Sequence, residues 1–200
     1  MTTTPITDRV RTAGPADAAD ISRVLSRSFF DDPVTCWIMP DAERRRTLGP
    51  ALFAIYVDAY LPLETYITEP RDGVALWAWP GQEPVPEDFV DAFVSRVESV
   101  YGDDAARVFA LNALLEAHAP EAPHAQLQLL GTLPEGQGQG IGSAVLSEGL
   151  ARCDREGVAA HLEATSERSK ALYEHHGFVV TGTMALAGGP TLWAMWRDPA

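Results

Sequence analysis

The sequence predicts a mixed α/β (α+β) fold in a single domain spanning residues 1–200, on three observations. An alternating apolar run, Ala125-Gln-Leu-Gln-Leu-Leu130, leads into the glycine-spaced stretch Pro134-Glu-Gly-Gln-Gly-Gln-Gly-Ile-Gly-Ser143, and a helix-patterned run from Ser143 to Leu150 follows. Downstream, a strand pattern over 158–164, a helix pattern through Ala171-Leu172-Tyr173 and a β-prone Phe178-Val-Val180 repeat the alternation of elements. Upstream, two apolar stretches at 65–68 and 74–79 flank Pro70-Arg-Asp-Gly73, a hairpin signal. A chain of 200 residues, 46% of them hydrophobic, can bury one sizeable core.

Each element has a local reason. Met1 to Asp8 lacks the basic start and apolar centre of a signal peptide and is expected to be a flexible lead-in. Val10-Arg-Thr12 is a short strand. Pro15 opens a helix running to Phe30, with Ile21, Val24 and Leu25 at helical spacing on one buried stripe, and Asp31-Asp-Pro33 stops it. Residues 41–60 form a second helical region, with Leu52, Ile55, Tyr56 and Ala59 on one face. In the strand over 74–79, Val74, Leu76 and Ala78 alternate with Ala75, Trp77 and Trp79. Residues 81–86 are a proline-rich connection. Residues 87–118 are mostly helical with a break at Tyr101-Gly-Asp-Asp104. Ser166 is placed to cap the helix through Tyr173, and Gly177 stands where that helix ends. Leu192-Trp-Ala-Met-Trp-Arg197 closes the chain as a strand.

Composition narrows the function. No run approaches the ~18 apolar residues of a membrane span. The two cysteines, Cys36 and Cys153, are far apart and form no motif, which fits a reducing, cytoplasmic setting and points to no metal site. A net charge of −13 argues against general nucleic-acid binding and favours a cationic small-molecule partner, or solubility alone. Monomer and homodimer both remain open.

The glycine stretch is the most specific feature. A strand, a turn rich in glycine and a helix N-terminus make a phosphate site, because glycine lets a ligand approach the backbone and the first helical amides are unpaired at the positive end of the dipole. It is not a P-loop, since no lysine lies between Gly131 and Lys170. Nor is it the dinucleotide pattern G-x-G-x-x-G: counted from Gly136 the last position is Ile141, and from Gly138 it is Ser143. The plain alternative is a glycine-rich hairpin. Gln137-x-x-Gly140-x-Gly142, however, resembles the pyrophosphate loop of the GCN5-related N-acetyltransferase (GNAT) superfamily. Leu162-Glu163 followed by Tyr173-Glu-His-His-Gly-Phe178 resembles the second half of the same core. Phe30-Asp-Asp-Pro33, the strand from Val74 to Pro80, Leu114-Leu-Glu-Ala-His-Ala-Pro120 and the closing strand are similar to the puromycin-type branch, whose acceptors are small-molecule amines.

The resemblance implies a central, mostly antiparallel sheet of six to seven strands, flanked by helices and splayed between parallel strands four and five. It implies acetyl-CoA as the acetyl donor, with the pyrophosphate held by Gln137 and by Gly138, Gln139, Gly140, Ile141, Gly142 and Ser143. In that family the pantetheine arm pairs with strand four, a role that falls here to Leu130, Thr132 and Leu133. The break in alternation at Leu129-Leu130 is compatible with a bulge there or with two adjacent core leucines. Where members often carry a cofactor-binding asparagine, this chain has Ser166 and Ser169, and Ser169 is the assigned contact.

Acetyl transfer to an amine needs a base and an acid. Tyr173 is the expected acid: a tyrosine near pKa ~10 can protonate a departing thiolate near ~8.5 when the two are close. Glu163, at the C-terminal end of strand five, is the expected base, with His161 on the same face and His124 and His176 as lesser candidates. Asp31, Asp32 and Trp77 are the expected acceptor contacts, with an ordinary turn and a core tryptophan as the bland alternatives. A peptide or protein N-terminus is the alternative acceptor. A non-catalytic acetyl-CoA sensor is the alternative class.

Overall fold

The computed structural model describes residues 10–200; the expected lead-in over 1–8 lies outside the described residues. Seven strands form one sheet. They are β1 (Val10–Thr12), β2 (Glu64–Thr68), β3 (Gly73–Ala78), β4 (His124–Thr132), β5 (Ala159–Ala164), β6 (Val179–Ala185) and β7 (Thr191–Arg197), in the spatial order β1-β2-β3-β4-β5-β7-β6. Every neighbouring pair is antiparallel except β4 and β5. That parallel pairing lasts only from His124↔Ala159 to Gln126↔His161, after which the strands part. The register of β4 against β3 skips one residue: Trp77 faces Leu127 and Leu76 faces Leu129, leaving Gln128 unopposed. The irregularity therefore falls one residue upstream of the Leu129-Leu130 step where the pattern placed it. A bulge adds twist and bends its strand, and here it coincides with the opening between β4 and β5.

Among the described residues, seven α-helices cover the two faces: α1 (Ala18–Ser28), α2 (Pro33–Ile38), α3 (Ala42–Tyr60), α4 (Val90–Tyr101), α5 (Ala105–Ala117), α6 (Ile141–Glu156) and α7 (Glu167–His175). Alternation along each strand sorts the core between them. Val74, Leu76 and Ala78 pack with α1 and α3, around Ile21, Val24 and Leu25. Ala75, Trp77 and Trp79 pack on the other face with α6, together with Leu162, Ala164 and Tyr173. A third cluster joins α2, α3, α4 and α5 to Met184, Leu192 and Ala194 of the outer strands. The Asp-Gly hairpin differs from expectation in detail. Arg71, not the glycine, takes the left-handed conformation (φ 56°), and the Thr68 hydroxyl accepts from the amides of Asp72 and Gly73.

The connection after α1 is the part of the fold that frames the site. Pro33, which stops α1, also starts α2, and Asp32 caps it by accepting from the amides of Val34 (2.9 Å) and Thr35 (3.2 Å). Arg45 of α3, 8% exposed, donates to the carbonyls of Phe30 (3.0 Å), Met39 (2.7 Å) and Pro40 (2.8 Å). These bonds satisfy the guanidinium within the loop and hold residues 30–40 against the helical layer. No helix among the described residues is long and apolar enough to cross a membrane, and no cluster of His, Cys, Asp or Glu among them is arranged to hold a metal ion.

Candidate active site

Between β4 and α6 the chain makes a 3-10 turn at Pro134–Gly136 and then passes through left-handed Gly138 (φ 78°) and Gly140 (φ 85°). Residues with a side chain rarely adopt these angles, so the local path depends on glycine at both positions. A side chain at either would meet no atom within 4 Å, so the loop presents bare main chain to open space. The first internal bond of α6 runs from Ala144 N to Gly140 O (3.0 Å), which leaves the amides of Ile141, Gly142 and Ser143 at the positive end of a helix 16 residues long. The side chain of Gln137 is tied across the loop. Its Nε2 donates to Thr132 O (3.3 Å), and its Oε1 accepts from Arg168 Nη1 (2.7 Å), which brings an exposed cation beside the amides. Open space, unpaired amides and an adjacent guanidinium fit a pyrophosphate group.

The edge of β4 contributes further main chain. Leu133 N donates to Asp72 O (2.8 Å), and the same register pairs Gly131 and Leu129 with β3. By alternation Leu130 and Thr132 direct their amides to the opposite edge, where β5 has departed. Thr132 N is taken by the Ser28 hydroxyl of α1 (3.2 Å). Of the three positions expected to meet an extended cofactor arm, Leu130 is therefore the one whose amide faces the opening, while those of Thr132 and Leu133 are already engaged.

On the α1–α3 face of this opening lies a cavity. Its walls are mostly apolar, and its two carboxylates are Asp32 and Glu163. Glu163 lies on β5 beyond the last parallel pair, on the face opposite Leu162 and Ala164, so it projects to the cavity side. Burial pushes its carboxyl up to about 7, against a smaller opposing effect from the Gln126 amide, whose Nε2 donates to Glu163 Oε2 (2.9 Å). The Oε1 of Gln126 in turn accepts from Nδ1 of His161 (2.8 Å), a ring that is 1% exposed. Burial, with a smaller push from His124, lowers His161 to about 4, so it is a neutral imidazole carrying its proton on Nδ1. This tautomer fixes which end of the Gln126 amide faces Glu163. Asp32, besides capping α2, accepts from the Thr165 hydroxyl, and burial raises its carboxyl.

Tyr173 is buried on the other face of the sheet, edge-on to Phe178 with ring centroids 5.9 Å apart. Its phenol is raised first by burial and then, by less, by the negative charges of Asp32 and Glu163. Its hydroxyl has no hydrogen-bond partner among the described residues.

The remaining expected residues divide. Asp31 is exposed and does not line the cavity. Trp77 is fully buried on the α6 face, where a Cβ at Gly149 would lie 2.4 Å from its ring; it is a core residue and not an acceptor contact. Alternation defined two faces of β3 but not which of them meets the cavity. Ser169 is engaged within the cap of α7: its hydroxyl accepts from Ser166 N (3.2 Å) and lies 2.9 Å from Ser166 Oγ, and Ser169 N donates to that Oγ (3.1 Å). Ser143 Oγ sits 3.0 Å from Nε2 of His176, at the end of α7. Gln126, Thr165, Arg168 and the cavity residues Gln128, Tyr56 and Tyr101 did not stand out in the sequence. Gln126 and Gln128 carried a signal only as the polar members of the alternating run that begins at Ala125.

Comparison with known proteins agrees with this architecture. A family model for the acetyltransferase (GNAT) domain matches residues 100–180. A Corynebacterium glutamicum protein described as histone acetyltransferase HPA2 and related acetyltransferase is 30% identical, with a TM-score of 0.74, and the match covers 96% of each chain. Two insect enzymes share the fold at lower identity. Arylalkylamine N-acetyltransferase 2 from Aedes aegypti is 12% identical (TM-score 0.67, covering 96% of this chain and 99% of that one). The Drosophila melanogaster polyamine N-acetyltransferase, which forms N-acetylagmatine, is 14% identical (TM-score 0.64, covering 94% and 98%). The sheet with its single parallel pair, the glycine loop and the coverage of the bacterial relative place this chain in the GNAT superfamily of acetyltransferases.

Proposed function

We propose that the protein transfers the acetyl group of acetyl-CoA to the primary amine of a small molecule, by direct attack within a ternary complex. The observation that carries this reading is the parting of β4 and β5 after Gln126, with Glu163 projecting to one face of the sheet there, Tyr173 buried on the other, and the glycine loop following β4. Acetyl-CoA supplies an activated thioester. Gln137, Arg168 and the amides of Gly138 to Ser143 are suited to hold its phosphates, and the Leu130 main chain is suited to the extended arm. Membership of the superfamily and a mostly apolar cavity with two carboxylates support a single domain acting on a small molecule. No nucleic acid, membrane or metal enters this reading, and monomer and homodimer serve it equally.

An alkylamine near pKa ~10.4 arrives protonated at neutral pH. Glu163 accepts that proton at its carboxylate, and a carboxyl titrating at about 7 is matched to the task. The neutral amine nitrogen forms a bond to the acetyl carbon, the carbon–sulfur bond breaks, and the Tyr173 hydroxyl gives its proton to sulfur; the second amine proton, released as the amide forms, restores the Tyr173 hydroxyl, and Glu163 returns its proton to solvent. Products are the N-acetyl amine and coenzyme A. Burial raises this phenol most, and the charges of Asp32 and Glu163 raise it further, so it is a poorer acid while both are charged. Neutralising Glu163 removes one of those charges, so uptake of the amine's proton eases release of the tyrosine's.

Two measurements test the reading. Gly142 lies outside the left-handed region and a Cβ there would meet Thr132 Oγ1 at 3.4 Å and Leu172 at 3.8 Å, so Gly142→Val is compatible with the backbone while adding a branched side chain next to the free amides of α6. Calorimetry should show acetyl-CoA binding to the wild type and its loss in this variant; equal affinity sinks the loop assignment. Tyr173→Phe should lower kcat for amine-dependent coenzyme A release by about 10²–10⁴-fold with acetyl-CoA affinity little changed. Full turnover would leave Tyr173 a packing residue. Tight acetyl-CoA binding with no turnover against any amine would favour a sensor instead.

A further inference from the structure

We infer, on the acetyl-transfer reading of this site, that the acceptor is a primary amine with a single positive charge and an apolar body, and that linear di- and polyamines are discriminated against. The cavity beside Glu163 is where an acceptor's body must lie, and its chemistry is one-sided. Its two carboxylates, Asp32 and Glu163, lie at one end: Asp32 accepts from the Thr165 hydroxyl, and Thr165 follows Glu163 by two positions at the end of β5, on the same side of the strand. The rest of the lining is largely apolar and includes Ile38, Leu52, Phe53, Leu111 and Leu115. The polar groups among those walls are uncharged. Gln128 accepts from the Tyr60 hydroxyl (2.9 Å), and Tyr56 and Tyr101 are phenols whose burial raises them, so both stay neutral at physiological pH.

An ammonium at the inner end meets two acids with no counter-ion of their own: no ion pair among the described residues involves Asp32, and the sole basic partner of Glu163 is His161, neutral at physiological pH. A second ammonium, one chain length away, would sit among leucine and phenylalanine side chains without a carboxylate, where burial of an unpaired charge is strongly disfavoured. An aromatic or aliphatic body in the same place gains by leaving water. One feature pulls the other way. The adjoining outer cleft shares Tyr56, Asn112, Leu115 and Gln128 with the cavity and carries Glu83, an acid able to meet a distal cation. Glu83 is exposed, however, and an ion pair at a solvated rim adds little affinity.

Hexylamine and 1,6-diaminohexane test this directly, because they match in length and differ in the far charge. With acetyl-CoA and the full chain, kcat/KM should favour hexylamine by more than about tenfold after allowing for the two equivalent ends of the diamine, and 2-phenylethylamine should equal or exceed hexylamine. A ratio of about tenfold or less overturns the inference and leaves acetyl transfer standing. Absence of amine-dependent coenzyme A release with every amine overturns the acetyl-transfer reading and the inference with it. Glu83→Gln, a change at an exposed position, should leave the ratio within about twofold of wild type. A further loss of diamine activity in that variant would show that the outer cleft holds the second cation, and would overturn the exclusion.

Discussion

Two buried carboxylates at opposite ends of the sheet show how surroundings divide structural from chemical work. Asp17, before α1, is 3% exposed and fully partnered: it accepts from both Nη atoms of Arg11 at 2.8 Å, from Gly14 N at 2.9 Å and from Arg71 Nε at 3.2 Å. The Arg11 guanidinium and the Gly14 amide hold it well below the usual carboxylate range. Glu163 is also largely enclosed, its side chain 14% exposed, but its side-chain hydrogen-bond donor is the neutral Gln126 amide, and burial carries it up to about 7. The difference is the cation. With one, a buried acid is locked in its charged form and ties β1 to the hairpin and α1. Without one, the acid exchanges a proton near neutrality, which is what a general base must do.

The sharpest way to break the comparison is to neutralise each acid. Glu163→Gln keeps an acceptor for Gln126 Nε2 and should cut kcat/KM at pH 8 by about 10²–10⁴-fold. It should also stabilise the protein. The folded carboxyl titrates at about 7 against an ordinary value of 4.5, so the wild type loses stability as pH rises through this window, by about 3 kcal/mol at the upper limit. Thermal melts at pH 4.5 and pH 8 should show the variant's advantage only at pH 8; equal melting at both would mean the carboxyl is better solvated than its burial indicates.

Asp17→Asn should do the reverse. Removing one partner of a buried ion pair costs about 3 kcal/mol, with kcat within about twofold of wild type. Because the folded carboxyl is depressed, its contribution is present above the ordinary carboxylate pKa and fades as pH falls through the folded value. Denaturant midpoints for wild type and variant should therefore converge in acid. A variant as stable as wild type at pH 7 would remove Asp17 from the contrast.

Gln126→Leu probes the intermediate case. It removes the larger of the hydrogen bonds that favour the charged form of Glu163, so the kinetic pKa should rise and activity at pH 7 should fall by about tenfold, recovering by pH 9. A purely structural role would lower the rate evenly at all pH values. The smallest effects separate the adjacent acids of the α1–α2 connection. Asp31→Asn, at an exposed position outside the cavity, should change the amine KM by less than about twofold, whereas Asp32→Asn should raise it by more than about fivefold. Equal effects would return Asp31 to the acceptor site.

What the sequence determined by itself was everything set within a few residues of chain. Glycine spacing fixed the loop before α6, since left-handed angles at Gly138 and Gly140 follow from residue type. Ser166 as the cap of α7, the stripe of Ile21, Val24 and Leu25, and the placing of His161 and Glu163 on one side of β5 followed from short-range hydrogen bonding and from the periods of helix and strand. The tertiary structure alone decided what depends on partners distant in the chain. Periodicity gives β3 two faces but cannot say that Trp77 turns to Gly149, 72 positions later, because that depends on where α6 crosses. Insertion of β7 between β5 and β6, the bulge at Gln128, and the bonds of Gln126 to His161 and Glu163 likewise arise from strand neighbours. So does the proton affinity of Glu163. A carboxylate's affinity is set by the water and charge around it, and for Glu163 those surroundings are assembled from β4, α3, α2 and α7, each contributed by a different part of the chain.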